Sequence, residues 1–302
     1  MRPIRPHLLI DCGVVRRGRR GTLQDMPLNF SLGGKVYDPI TRTITADEIE
    51  EYAQASGDPN PIYAKGPGQV ASPIFPVVPG FALMGTVSTD PELNLENPLM
   101  ILHGEEEIVQ HRPMLAGETL VFTPALQSVE DKGRNGMYVV RVGAATEDGE
   151  PVNEQFATII VRGAGSGQDR PAGPKEAPPG RAEAAATFTR HVAADMPTRY
   201  ATASGDHNPI HLVDDVARAV GLPGVINHGL GTLSLVTSGL VEGIAGGDPS
   251  RVHRVKVRFT DVVFPGSDLV TTVWESVGSH RFETVRPDGK VVMQGTFEAA
   301  PG

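Results

Sequence analysis

The chain has 302 residues, 39% hydrophobic and 21% charged, enough for one large domain or two modest ones with ordinary cores. Its formal net charge of −9 argues against a nucleic-acid partner, because phosphate backbones are held by clustered Lys and Arg. The single cysteine, Cys12, excludes an internal disulfide and makes a reduced cytoplasm the expected location.

Residues 1–25 read as an N-terminal tail in which Arg16, Arg17, Arg19 and Arg20 lie among Pro and Gly. Its apolar run, Leu8-Leu9-Ile10, is broken at once by Asp11, too early for a signal peptide or a membrane span, so no membrane partner is expected. Met26 is a candidate start, which would leave the tail outside the native protein.

A self-repeat dominates the remainder of the chain. Tyr52-Ala-Gln-Ala-Ser-Gly-Asp-Pro-Asn-Pro-Ile-Tyr63 returns as Tyr200-Ala-Thr-Ala-Ser-Gly-Asp-His-Asn-Pro-Ile-His211. Pro79-Gly80-Phe81 then matches His228-Gly229-Leu230, and Ala116-Gly117-Glu118 matches Pro265-Gly266-Ser267, at nearly the same offset. One unit is therefore duplicated, as residues 26–162 and 182–302. Residues 163–181, with Gly163-Ala-Gly-Ser-Gly167 followed by Pro171, Pro174, Pro178 and Pro179, read as the linker. A dinucleotide loop would have to open a helix, and prolines follow instead.

Each half should run from a polar motif loop into an apolar helix, Phe81–Val87 and Leu230–Ile244, enclosed because it is apolar round most of its circumference. Strands are expected at Thr119–Thr123, Met137–Ala144, Gln155–Val161, Val252–Phe259, Asp268–Glu275, His280–Val285 and Val291–Phe297. Antiparallel sheets each wrapping a central apolar helix give an α+β double hot-dog.

The second motif, with Gly224-Val-Ile-Asn-His-Gly229 after it, resembles the signature of the R-specific enoyl-CoA hydratases of the MaoC-like dehydratase family, and the resemblance extends over residues 27 to 298. It implies Asp206 and His211 as the catalytic pair, Gly229 as the backbone donor to the thioester carbonyl, and a (3R)-hydroxyacyl-CoA product. It also implies a tunnel for pantetheine, no metal or redox cofactor, and a homodimer. The partner it implies is an acyl-CoA or an acyl carrier protein.

These residues suit the chemistry in their own right. Hydrating an enoyl thioester needs a base to activate water for attack on C3, an acid to protonate C2, and a donor for the charge growing on the thioester oxygen. Asp206 and His211 can share one water; Gly205 permits a tight turn, and Pro209 keeps the loop from winding into a helix. Gly229 at a helix N-terminus offers a free N–H. Asn208, His228 and Gly205 are the candidate substrate-binding residues. Asn208 either touches water or ties the loop to its own backbone, and His228 either lines the site or stabilises the turn. The first copy has Tyr63 and Pro79 where His211 and His228 stand, so it should be catalytically silent and shape the acyl cavity.

Other readings are weaker. Zinc on His207 and His211 is disfavoured by Asn208-Pro209 between them. Ser204 lacks the elbow of a serine esterase. Arg251, Arg254, Lys256 and Arg258 look like the solvated face of a strand rather than a phosphate site. His7, His103, His111, His191, His253 and His280 show no partner pattern. The competing functions are a thioesterase or a non-catalytic acyl-thioester binding protein of the same fold.

Overall fold

The computed structural model describes residues 26–97, 100–168 and 183–300, so the expected tail and residues 169–181 of the expected linker lie outside the described residues. The first half runs β1 (Lys35–Val36), β2 (Ile40–Thr43), α1 (Ala46–Ser56), α2 (Val77–Ser88), β3 (Ile101–Gln110), β4 (Thr119–Lys132), β5 (Asn135–Thr146) and β6 (Pro151–Val161). The second runs β7 (Ala186–His191), α3 (Met196–Ser204), α4 (Asp214–Ala219), α5 (Gly229–Ile244), β8 (Val252–Phe259), β9 (Asp268–Ser276), β10 (Ser279–Val285) and β11 (Val291–Ala299). All expected strands and both apolar helices are present. Residues 163–168 pack onto the first half: the Leu28 N–H donates to the Ala164 carbonyl at 3.1 Å and the Gly167 N–H to the Gly133 carbonyl at 2.9 Å.

The motif segments begin as helix rather than loop, since Tyr52 lies in α1 and Tyr200 in α3. Thr45 and Glu48 form a capping box at the start of α1. Both helices end on a glycine in the left-handed region, Gly57 at φ +74° and Gly205 at φ +80°, where a side chain would be strained.

The strands form one antiparallel sheet in the order β1-β4-β5-β6-β3-β8-β11-β10-β9-β7, with β2 also on β4. The series β3-β6-β5-β4-β2 is repeated as β8-β11-β10-β9-β7, which realises the double hot-dog with β3 and β8 as its seam. The sequence does not announce β3, because Glu105-Glu106-Glu107 hides any alternation. The seam explains those residues. Glu105 faces Arg258, and Glu107 faces Arg254 and Lys256, across the antiparallel register, while Glu106 points inward. Such opposite-charge pairs contribute roughly 0.2–1 kcal/mol each.

α5 is buried at every position from Leu230 to Val241, as expected of an enclosed helix. α2 is shorter and departs from that expectation, leaving Ala82, Gly85 and Thr86 exposed. α5 sits close to its neighbours because it carries glycines: a Cβ at Gly231 would lie 3.1 Å from the Tyr200 ring, and one at Gly239 only 2.1 Å from the Phe188 ring. Among the described residues no helix is long and apolar enough to cross a membrane.

Gly239→Ala should destabilise the protein. The ~0.5–1 kcal/mol that alanine gains over glycine in a helix is smaller than the ~1–3 kcal/mol of overpacking against Phe188. Chemical denaturation should show a lower midpoint, recovered in part by adding Phe188→Leu; an unchanged or raised midpoint in the single variant would contradict this packing.

Candidate active site

The second motif leaves α3 at Gly205 and folds as an Asx turn followed by a single 3-10 turn, Pro209–His211. Pro209 opens that turn at a position where its missing N–H costs nothing, so it starts a short helix rather than preventing one. The Asn208 N–H donates to Asp206 Oδ1 at 3.1 Å, and the Ile210 N–H to Asn208 Oδ1 at 3.3 Å. Asn208 therefore has the loop-building role and is exposed, and Gly205 supplies a backbone conformation. Asp206 keeps Oδ2 clear of this turn, with its side chain 18% exposed.

His211 is 9% exposed, and its Nδ1 lies 2.9 Å from the Ile226 carbonyl oxygen. A carbonyl only accepts, so Nδ1 carries the proton and the neutral ring presents Nε2 as a lone pair. His228, 1% exposed, donates from Nε2 to the Asp206 backbone carbonyl at 3.0 Å. Its ring lies 3.9 Å from that of His211, with Tyr200 5.0 Å away on another side. Burial pushes the His211 pKa below its ordinary value. His228 is pushed down to about 4, first by burial and then by the neighbouring His211. Both rings are thus neutral bases at neutral pH.

One atom from each of Asp206, His211 and His228 lies within 4.8 Å of the others, the span of one small polar molecule. His207, the other half of the disfavoured metal pair, stays on the exposed side of the loop, and His228 takes the third place in the cluster. His228 of the cluster immediately precedes α5, where Gly229 is the first helical residue, is exposed, and has no side-chain cap. The first N–H groups of a helix have no acceptor within it.

The other expected candidates are spent on structure. Ser204 is 5% exposed and donates to the Tyr200 carbonyl at 2.7 Å, so it offers no nucleophile. Arg251 donates to the carbonyls of Ala245 and Ala300, and Arg254, Lys256 and Arg258 pair across the seam. His103, partnerless by sequence pattern, has its Nε2 2.9 Å from Glu106 Oε2. Sequence reasoning misses His103 and the Ile226 carbonyl because only the fold brings them near; the spacing to residue 226 is readable, but not its direction.

In the first copy the Asx turn is the same: Asp58 Oδ1 accepts from the Asn60 N–H at 3.1 Å, and burial raises the Asp58 pKa to about 6. Tyr63 is 1% exposed, its hydroxyl is unpartnered, and burial holds it protonated. Gly80, the counterpart of Gly229, lies three residues inside α2, and its N–H is taken by the Pro76 carbonyl at 3.1 Å.

Residues 175–294 match a family model described as MaoC like domain, and residues 31–155 match one described as FAS1-like, dehydratase domain region. A Mycobacterium tuberculosis protein named 3-hydroxyacyl-thioester dehydratase Y is 33% identical over 70% of this chain and 73% of its own length. An Arabidopsis thaliana protein named enoyl-CoA hydratase 2, peroxisomal, is 30% identical over 67% of this chain and 70% of its own. The crystal structure of a MaoC-like dehydratase from Phytophthora capsici superposes with a TM-score of 0.77 at 22% identity, covering 91% of this chain and 98% of that one. Extending over both halves and joined to a site built on the family's motif, these matches establish that the chain belongs to the MaoC-like dehydratase family.

Proposed function

We propose that this chain is a hydro-lyase that adds water to a trans-2-enoyl-CoA to give the (3R)-hydroxyacyl-CoA, or runs the same step backwards. The observation that carries the reading is the His211 Nδ1–Ile226 carbonyl bond, which leaves Nε2 basic in a residue clustered with Asp206. Asp206 and His211 hold one water by its two hydrogens. As its oxygen bonds to C3, the π electrons move toward C2 and the thioester carbonyl, and the proton released at the pair passes to C2. The Gly229 N–H and the positive end of α5 hold the oxygen on which charge grows, a contribution of about 3–4 kcal/mol. His228 braces the Asp206 backbone and packs against His211.

The first half is silent, with a phenol at residue 63 and an N–H at Gly80 already bonded. Its shorter helix α2 leaves room for the acyl chain. The carrier is CoA or an acyl carrier protein, and the working unit is a cytoplasmic homodimer that covers the open β7 edge of the sheet. Hydrolysis through a serine nucleophile gains no support, since Ser204 is committed to the Tyr200 carbonyl.

Asp206→Asn and His211→Gln should each lower kcat by about 10²–10⁴-fold. The assay is loss of the conjugated enoyl-thioester absorbance of crotonyl-CoA and a longer homologue, without release of free thiol. Full activity in either folded variant, or thiol release by wild type, would sink the proposal.

Gly229→Pro removes the N–H and adds a ring whose Cβ would lie in ordinary contact, 3.4 Å, with Phe259. Proline is accepted as the first residue of a helix, and His228 already has φ −60° and ψ 136°, which suit a residue before proline. The variant should fold and lose about 10²–10³-fold in kcat; unimpaired turnover would exclude this donor.

The pH profile follows from the depressed His211 pKa. The active neutral ring persists below the ordinary histidine range, so the acidic limb of kcat/KM should fall below pH ~6.5. A limb at or above that value would show that His211 is not the base.

A further inference from the structure

The first half contributes more to this site than a wall. In β3 the register on β6 shifts between His103 and Glu105, a bulge centred on Gly104. Three positions apart on a regular strand, His103 and Glu106 would face opposite sides. The extra residue changes that parity and turns His103 onto the face of Glu106. Gly104 fits there because a Cβ would come within 2.9 Å of the Ile160 side chain. The result is a chain of contacts. Gln155 Nε2 donates to Glu106 Oε1 at 2.7 Å, and Glu106 Oε2 meets His103 Nε2 at 2.9 Å. The His103 ring then stands edge-to-face on Phe259 at 5.4 Å. The Phe259 ring in turn lies 3.4 Å from where a Cβ on Gly229 would be.

Glu106 is wholly buried, and burial raises its pKa, so the cluster costs stability. The fold does not demand it, for the duplicated half places Val252, Val255 and Gly295 at the equivalent places in β8 and β11. A buried polar cluster that exists in one copy only, and ends against the oxyanion donor of the other, is explained by the site it borders.

We propose that His103 is a positioning residue of the same reaction: Glu106 and Gln155 orient its ring, which seats Phe259 against Gly229 and so fixes where the thioester carbonyl meets the Gly229 N–H. The inference rests on the hydratase reading above. The contacts are made by shape and hydrogen bonding, so a glutamine at residue 106 can serve: its oxygen accepts from Gln155 and its amide donates to His103 Nε2.

The test is steady-state hydration of crotonyl-CoA by the full chain, with thermal unfolding measured on each variant. His103→Ala and Phe259→Ala should each lower kcat by about 10–100-fold, as expected for a misplacement near 1 Å, with KM within about threefold. The double variant should lose no more than the worse single one, since both act through one contact. Glu106→Leu should lose as much as His103→Ala, whereas Glu106→Gln should recover to within about threefold of wild type. Wild-type kcat in His103→Ala, additive losses in the double variant, or a Glu106→Gln variant as poor as Glu106→Leu would overturn the inference. So would losses that track only the folded fraction. Asp206→Asn, assayed alongside, separates the two levels. If it is inactive while His103→Ala is fully active, only the positioning role falls; if it is fully active, the hydratase reading falls first.

Discussion

A single hydrogen bond, from His211 Nδ1 to the Ile226 carbonyl, decides what the site can do. It fixes the tautomer, which no residue identity could, and leaves Nε2 as the lone pair of the neutral ring. The rest of the second half serves that bond. The left-handed Gly205 ends α3 so that the chain can turn, and Asn208 closes the 3-10 turn that brings residue 211 round. Asp214 Oδ1 accepts from the Val225 N–H at 2.9 Å, tying α4 to the segment that carries Ile226.

The two copies share one architecture and differ in its details. Both copies keep the glycine-ended helix and the Asx turn, because these build the loop. They differ in where the central helix begins. In the second half it starts at Gly229, leaving the N–H without an intrahelical acceptor; in the first it starts three residues earlier than Gly80, whose N–H is then an ordinary link in the helix. A change of helix start by less than one turn removes a donor as surely as a substitution would. The centre is shared: the Tyr52 and Tyr200 hydroxyls, equivalent in the repeat, approach to 3.4 Å, and Tyr52 also hydrogen-bonds Ser234 of α5 at 2.6 Å.

Neutrality is enforced by burial. His228 sits 1% exposed beside another imidazole, and both conditions disfavour its protonated form. The same desolvation strengthens every dipole that acts on the reacting carbonyl. The acidic surface charge plays no part in this; seam residues such as Glu105 and Glu107 are absorbed by Arg and Lys on the facing strand.

Much of this is legible in the sequence, and the reason is local. The two apolar helices and most strands depend on patterns within a few residues of one another, and a motif of twelve residues, present in two copies, carries its own turn. Asp206, His211 and Gly229 are singled out by that motif's resemblance to the family signature. What only the tertiary structure decided involves partners far apart in the chain. Glu105-Glu106-Glu107 conceals a central strand, because its charges are matched by residues about 150 positions away. His103 looks solitary until a bulge turns it toward Glu106 and the seam sets Phe259 against it. The direction of the Ile226 carbonyl, and hence the protonation of His211, is likewise a property of packing: sequence specifies which groups exist, while the closure of the sheet around the helix specifies which way their dipoles point.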